Sequence, residues 1–188
     1  MNFDITICIP SIPPRAHLLQ RALKSVAAQD QPVSAVAVAH DIAHEGAWAT
    51  RNRALRMAQT TWVGFLDDDD ELLPIHVHRL LNMAMDYDAD MVWGWFDVVG
   101  SSDPFPHYRG RQYDITNPHI VPITYIAKRE MLLDSGGFQA DEIGAWDNQD
   151  QPVIDHIVKA GGVLRATPTI TWLWHHHHAN TSGMPQRW

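Results

Sequence analysis

Four carboxylates stand side by side at Asp67, Asp68, Asp69 and Asp70, directly after the apolar run Trp62 to Leu66. Like charges a few ångströms apart repel and raise one another's pKa, so such a run calls for a positive partner. A hard divalent cation, Mn2+ or Mg2+, suits it, because these ions take one or two protein carboxylates and fill their remaining positions with substrate phosphate oxygens. A spacing of two directs Asp67 and Asp69 the same way if the strand continues. A solvated acidic turn that caps the next helix is the alternative reading of the same residues. The chain has no G-x-G-x-x-G after its first strand and no G-x-x-x-x-G-K-S/T anywhere. Dinucleotide oxidoreductases and P-loop enzymes are thereby disfavoured, leaving phosphates handled through metal.

The run His175 to His178 is the other dense set of ligand atoms, lying between Trp174 and Ala179-Asn-Thr-Ser182. If the preceding strand continues through it, His176 and His178 share one face, where either can complete a metal shell; packing at a pocket rim is the alternative. Nucleotide-independent capture of Ni2+ or Zn2+ by all four would describe a histidine-rich metal-binding protein instead. Indole rings supply a third feature. The chain holds 8 Trp, and Trp93, Trp95, Trp146, Trp172 and Trp174 are candidates to stack on the apolar face of a sugar, although most large aromatics serve the core.

Alternating strands and helices must bring these groups together. Ile5 to Ile9 is apolar and β-branched, ends at Pro10, and reads as a buried strand. Leu19, Leu23 and Val26, with Leu18 and Ala22 broadening the stripe, predict an amphipathic helix over 16–28. A second strand over Ala35 to Ala39 stops at His40-Asp41, a second helix covers 47–58, Trp62 to Leu66 is the third strand, and a third helix covers 74–85. This order implies right-handed crossovers and a parallel sheet, with three strand ends on the edge where open sheets bind ligands. Further strands are expected at Met91 to Val99, Ile123 to Ala127 and Thr169 to Trp174, with a turn at Gly136-Gly137 and a helix over 153–160. The Gly-, Pro- and Tyr-rich stretch from Gly100 to Pro118 reads as a functional loop.

Several segments, in order, carry a family likeness. They are Ile5-Thr-Ile-Cys-Ile-Pro10 with Leu23-Lys-Ser-Val-Ala-Ala-Gln29, Thr50-Arg-Asn-Arg-Ala-Leu55, Phe65-Leu-Asp-Asp-Asp-Asp-Glu-Leu-Leu-Pro74, Ser135-Gly-Gly-Phe138 and Gln149-Asp150. On these the chain resembles the family 2 glycosyltransferases. The resemblance implies a single α/β domain of the GT-A kind: a Rossmann-like nucleotide-binding half (1–98, with the metal) on a mixed, mainly parallel sheet, and an acceptor-binding half (99–188). It implies that Pro10, Ser11 and either His40 or Asp41 meet the nucleobase and ribose of a nucleotide sugar, with UDP the usual nucleotide. Arg51 would lie near the donor phosphates. Asp67 would touch the ribose, or the metal through water, with Asp68 beside it on the donor; Asp69 would ligate the metal and Asp70 support it. Asp150 would be the base that deprotonates the acceptor hydroxyl in an inverting transfer, with Asp141, Glu142 and Asp147 as nearby alternatives. Trp146, beside that base, is the expected acceptor contact. The chain departs from the family pattern at His40, where Asp is usual, and at Gln149, where Glu is usual.

Bulk composition bounds the rest. At 188 residues and 45% hydrophobic, the chain is long enough for one core and short for two. Its 14 Lys and Arg against 22 Asp and Glu disfavour a nucleic-acid partner. The lone Cys8, a start without a basic leader and the absence of a membrane-length apolar stretch predict a cytoplasmic protein with no integral membrane segment. The expected reaction is metal-dependent, inverting transfer of a hexose or N-acetylhexosamine to a hydroxyl of a glycan, protein or lipid-linked acceptor. A catalytically inactive nucleotide-sugar or glycan-binding module, and a nucleotidyltransferase, are the other readings.

Overall fold

The computed structural model describes residues 3–139, 150–177 and 180. Among them the chain runs β1 (Ile5–Ser11), α1 (Ala16–Ala27), β2 (Ala35–His40), α2 (Ala47–Met57), β3 (Trp62–Phe65), β4 (Glu71–Leu72), α3 (His76–Asp86), β5 (Met91–Val99), β6 (Tyr125–Lys128), α4 (Arg129–Asp134), α5 (Gln151–Lys159) and β7 (Leu164–His175). The strands form one sheet in the order β2-β1-β3-β6-β5-β7-β4. β1 pairs in parallel with β2 and β3, as the alternation of strands and helices requires. β6 inserts antiparallel between β3 and β5, and β4 closes the far edge antiparallel to β7. Five strands therefore share one direction, giving a mixed, mainly parallel sheet.

Period-two alternation divides the core between the two faces of the sheet. Ile5, Ile7 and Ile9 point into a layer closed by Ala22 and Val26 of α1 and Val77, Leu80 and Leu81 of α3. Cys8, Val63, Phe65 and Tyr125 point into the opposite layer, closed by Leu55 of α2, Leu132 of α4 and Val153, Ile154 and Ile157 of α5. Two polar residues, Ser25 in the last turn of α1 and Gln29 just beyond it, explain part of the Leu23 to Gln29 segment. Ser25 Oγ accepts the Leu72 N–H at 3.0 Å, Gln29 Nε2 donates to the Leu73 carbonyl at 2.9 Å, and Gln29 Oε1 accepts the Val77 N–H at 3.0 Å. They satisfy backbone groups that the two-residue β4 and the start of α3 leave open.

β5 and β7 form the longest pairing, with register shifts on either side of Gly94 and Trp95. A Cβ at Gly94 would come within 2.3 Å of Thr171 Oγ1, so only glycine permits this approach. The Thr171 hydroxyl in turn meets Nδ1 of the fully buried His76 at 3.0 Å. The segment between Gly100 and Pro118 is held to the sheet rather than free of it. Gln112 exchanges two hydrogen bonds with the backbone of Ala166, at 2.9 and 3.0 Å, and the Tyr108 ring stacks on His119 at 5.1 Å between centroids. No helix among the described residues is long and apolar enough to cross a membrane.

Candidate functional site

β1, β2 and β3 deliver their carboxyl ends to one edge. Ser11 and His40 are Cα partners in the β1–β2 ladder, so Pro10 and Ser11 lie beside His40 and Asp41. Asp41 is 1% exposed, and its two oxygens accept the backbone N–H groups of Glu45 (2.9 Å) and Gly46 (2.8 Å), with Arg53 at 3.5 Å. Its carboxylate thus shapes the 41–46 loop, while His40 remains exposed at the rim.

The carboxylate run leaves β3 and is bound by basic groups from three directions. Arg51, buried on α2, reaches Asp67 at 2.9 and 3.2 Å. Asp68 turns toward the β1 loop, where the Ile12 N–H donates to it at 3.1 Å and Arg15 faces it at 3.3 Å. On Asp69, a single oxygen, Oδ2, collects Arg15 Nη1 at 2.8 Å, His177 Nε2 at 3.2 Å and Asn180 Nδ2 at 3.4 Å. Asp70 accepts the His175 N–H at 2.8 Å. Glu71 takes His175 Nε2 at 2.7 Å and Arg21 Nε at 3.4 Å, and Arg21 also donates to the Asp69 carbonyl.

Five consecutive acids therefore meet three arginines, leaving the cluster two positive charges short. Asp68, Asp69 and Asp70 register burial and the crowding of like charge together. Burial, then the Asp69 charge, pushes Asp68 up to about 6 against the Ser11 hydroxyl and Arg15; burial, then the Asp67 charge, pushes Asp69 up to about 6. Burial, then the charges of Asp69 and Asp67, hold Asp70 well above the usual carboxylate range. Among the described residues no three His, Cys, Asp or Glu side chains are preassembled as a metal cage. A divalent cation nevertheless fits: it would cancel the deficit, and Asp69 Oδ2 with His177 Nε2 offer the oxygen and nitrogen donors such ions accept.

The histidine run reaches this cluster with the other parity. β7 ends at His175, and His175 and His177 face the acids. His176 lies away from them, its ring 4.4 Å from Trp174 and its Nδ1 2.7 Å from Ser101 Oγ. His178 lies outside the described residues, as do Trp146, Gln149, Asp141, Glu142 and Asp147. Asp150 is described. It immediately precedes α5, its carbonyl accepts the Ile154 N–H at 3.0 Å, and its charge, with that of Arg51, acts on the buried phenol of Tyr125. Burial is the larger effect there and holds the Tyr125 hydroxyl well above its ordinary range. Of the other tryptophans considered as sugar platforms, Trp93, Trp95 and Trp172 are core residues, whereas Trp174 is half-buried.

The model for glycosyl transferase family 2 matches residues 34–139, more than half of the chain. The chain belongs to glycosyl transferase family 2. Among solved structures, S. aureus TarS 1–349 in complex with UDP-GlcNAc superposes with a TM-score of 0.77 at 15% identity, over 95% of this chain and 60% of that one. The mannosyltransferase PcManGT from Pyrobaculum calidifontis, in complex with GDP-Man and Mn2+, gives 0.68 at 16% identity, over 100% of this chain and 59% of that one. These likenesses show the GT-A fold, and this family 2 chain spans about three fifths of the length of either neighbour. No curated protein sequence matches it.

Sequence reasoning missed Arg15, Arg21 and Glu71 in this family 2 site. The signal was available: β1 lies beside β3, so cations in the loop after β1 are the nearest partners for a carboxylate run after β3. It also missed Asn52. The Asn52 amide donates to the Phe138 carbonyl at 2.7 Å and accepts the Phe138 N–H at 2.9 Å, tying the Thr50 to Leu55 segment to the Gly-Gly-Phe turn.

Proposed function

We propose that this family 2 glycosyltransferase moves a hexosyl or N-acetylhexosaminyl group from a nucleoside diphosphate, UDP first among candidates, to an acceptor hydroxyl with inversion, and requires Mn2+ or Mg2+. The observation that carries the reading is the under-neutralised carboxylate cluster at the carboxyl edge of β1 and β3, a place suited to a cation and a diphosphate together. Residues 1–98 would form the donor half and 99–188 the acceptor half, with Trp146 an acceptor contact. The acceptor would be a glycan, protein or lipid-linked molecule.

In this reading Pro10, Ser11 and either His40 or Asp41 border the base and ribose, Arg51 borders the diphosphate, Asp67 meets the ribose or the metal through water with Asp68 beside it, and Asp69 and His177 would hold the metal. Bound there, the metal would supply Lewis-acid stabilisation of the charge developing on the leaving diphosphate. The chain's own part is orientation and proton removal. Asp150 takes the proton from the acceptor hydroxyl as that oxygen bonds to the anomeric carbon and the bond to the diphosphate oxygen breaks on the opposite face. The electron pair leaves with the nucleotide. Holding both reactants in line removes much of the entropic part of the barrier.

Thermal stabilisation by UDP, GDP, CDP and their sugars, each with Mn2+ and with chelator, tests the proposal. A ligand at one hundred times its Kd stabilises the folded state by about 2.7 kcal/mol. Metal-dependent stabilisation by one nucleotide, followed by transfer, supports the reading. Silence toward every nucleotide refutes it, and binding without transfer or hydrolysis would identify a binding module.

A further inference from the structure

The structure gives the Arg15 guanidinium an unusual position. Arg15 closes a short 3-10 turn, Pro13–Arg15, whose two prolines hold the backbone between β1 and α1. The side chain is buried and spans two carboxylates, with Nη1 2.8 Å from Asp69 Oδ2 and 3.3 Å from Asp68 Oδ1. The oxygen it meets on Asp69 is also the one that His177 Nε2 approaches at 3.2 Å. An oxygen and a nitrogen so placed are the donors a divalent cation would use, and a guanidinium and a metal cannot share that direction of approach without strong repulsion.

We propose that Arg15 is an exchangeable counter-ion: it pairs with Asp68 and Asp69 in the ligand-free chain, then leaves Asp69 and turns onto the diphosphate when nucleotide and divalent cation arrive together. The proposal rests on the reading of this edge as a nucleoside-diphosphate site. It assigns one arginine two successive anionic partners, with the fixed Pro13-Pro14 turn confining the change to a side-chain swing. Metal alone must compete with Arg15, whereas metal and diphosphate together give the guanidinium a second partner at close range. The bidentate fork of arginine suits both the carboxylate pair and a phosphate.

The test measures binding rather than turnover. Mn2+ is titrated alone into the unmutated chain and Arg15→Gln by electron paramagnetic resonance, and UDP and GDP are titrated in the presence of Mg2+ by calorimetry. Removing a unit charge a few ångströms from the metal position should tighten Mn2+ binding in the absence of nucleotide by about tenfold or more, while weakening nucleotide binding by about tenfold. Unchanged or weaker Mn2+ binding, or undiminished nucleotide binding, overturns the proposal. A second measurement does not depend on the variant folding. In the unmutated chain, the Arg15 side-chain NMR signals should shift when Mg2+ and UDP are added together; signals that stay fixed while UDP binds overturn the exchange. If the unmutated chain binds neither nucleotide with Mg2+, the functional reading itself fails, which is a different result from nucleotide binding that ignores Arg15.

Discussion

Asn52 offers a perturbation whose cost and sign can be worked from geometry. Its side chain is 7% exposed, and its amide makes both available hydrogen bonds to the backbone of Phe138, at 2.7 and 2.9 Å. A Cβ at Gly137 would lie 2.2 Å from Asn52 Oδ1, and Gly137 has a φ of 77°, so the turn is built around this amide. Asn52→Ala leaves a buried N–H and a buried carbonyl unpaired. At about 1–3 kcal/mol for each orphaned group, with some relaxation, the expected loss is about 2–4 kcal/mol. For a chain of this size that lowers Tm by about 4–16 °C, measurable by circular dichroism. Asn52→Asp distinguishes the clamp from mere bulk. Above neutral pH it keeps an acceptor for the Phe138 N–H but sets an anionic oxygen against the Phe138 carbonyl, and should be at least as unstable as Asn52→Ala. Once protonated, that oxygen can donate to the carbonyl, so Asn52→Asp should recover between pH 7.5 and 5.0 relative to Asn52→Ala. A loss under about 0.5 kcal/mol for alanine, or no pH-dependent difference between the variants, would refute the clamp.

Gly94→Ala should destabilise the fold by about 1–3 kcal/mol in urea titration, because the added methyl meets Thr171 Oγ1 at 2.3 Å; an unchanged midpoint counts against this packing. His76 is held down to about 3 by burial, so its folded pKa lies below the unfolded value of 6.5, and the stability it contributes above pH 6.5 is lost as pH falls toward 3. His76→Gln should flatten that acid slope by about 1.4 kcal/mol per pH unit, and an identical slope would exclude the assignment. Asp68 and Asp69 carry the opposite sign: raised from 3.8 to about 6, they contribute stability fully below 3.8 that is lost as pH rises through about 6. His175, whose pKa burial also lowers, opposes them in the same window, so with both His76 and His175 replaced the cation-free protein should melt higher at pH 5.5 than at 7.5, a preference absent if these carboxyls are unshifted. His177→Ala should weaken Mn2+ binding in the presence of UDP by about tenfold or more, whereas His176→Ala should leave it within about threefold; equal effects would contradict the parity of the run. Asp150→Asn should retain nucleotide binding and slow transfer by about two to four orders of magnitude, and near-normal turnover would move the base elsewhere.

Much of the donor half was legible because its elements follow strong periods. Leu19, Leu23 and Val26 marked α1 to within a residue, and the apolar runs at Ile5, Ala35 and Trp62 marked three strands whose parallel pairing follows from the helices between them. The later elements lacked such marks. β4 is only two residues, and α4 spans six, too few for a helical period to show. β7 begins at Leu164 rather than Thr169, because Thr167 and Pro168 interrupt its apolar pattern with a turn-like sequence. The antiparallel entry of β6 follows a long loop, whose direction no local residue encodes. In the site, the carboxylates announced themselves by their cost, but the choice of His175 and His177 depends on which face of the sheet the acids occupy. Alternation gives two sets of histidines without saying which set meets Asp69 and Glu71.

The route of the carboxylate run sets a mechanical constraint on the whole sheet. It leaves β3, third in the sheet, and enters β4, seventh in the sheet, with five residues between them. Four inter-strand steps in a flat sheet measure about 19 Å. The strap has a turn in it, closed by the Asp70 N–H on the Asp67 carbonyl at 3.2 Å, and so reaches about 17 Å at most. It is too short for a flat sheet, so the far edge must curl back toward β3, and the β5–β7 register shifts across Gly94 and Trp95 are irregularities of the kind that bend a strand. Curvature is thus a form of tethering here: the bend that lets a short strap reach β4 also carries the histidine end of β7 onto the acids. A change that flattened the sheet at Gly94 would pull Asp69 and His177 apart without touching either residue.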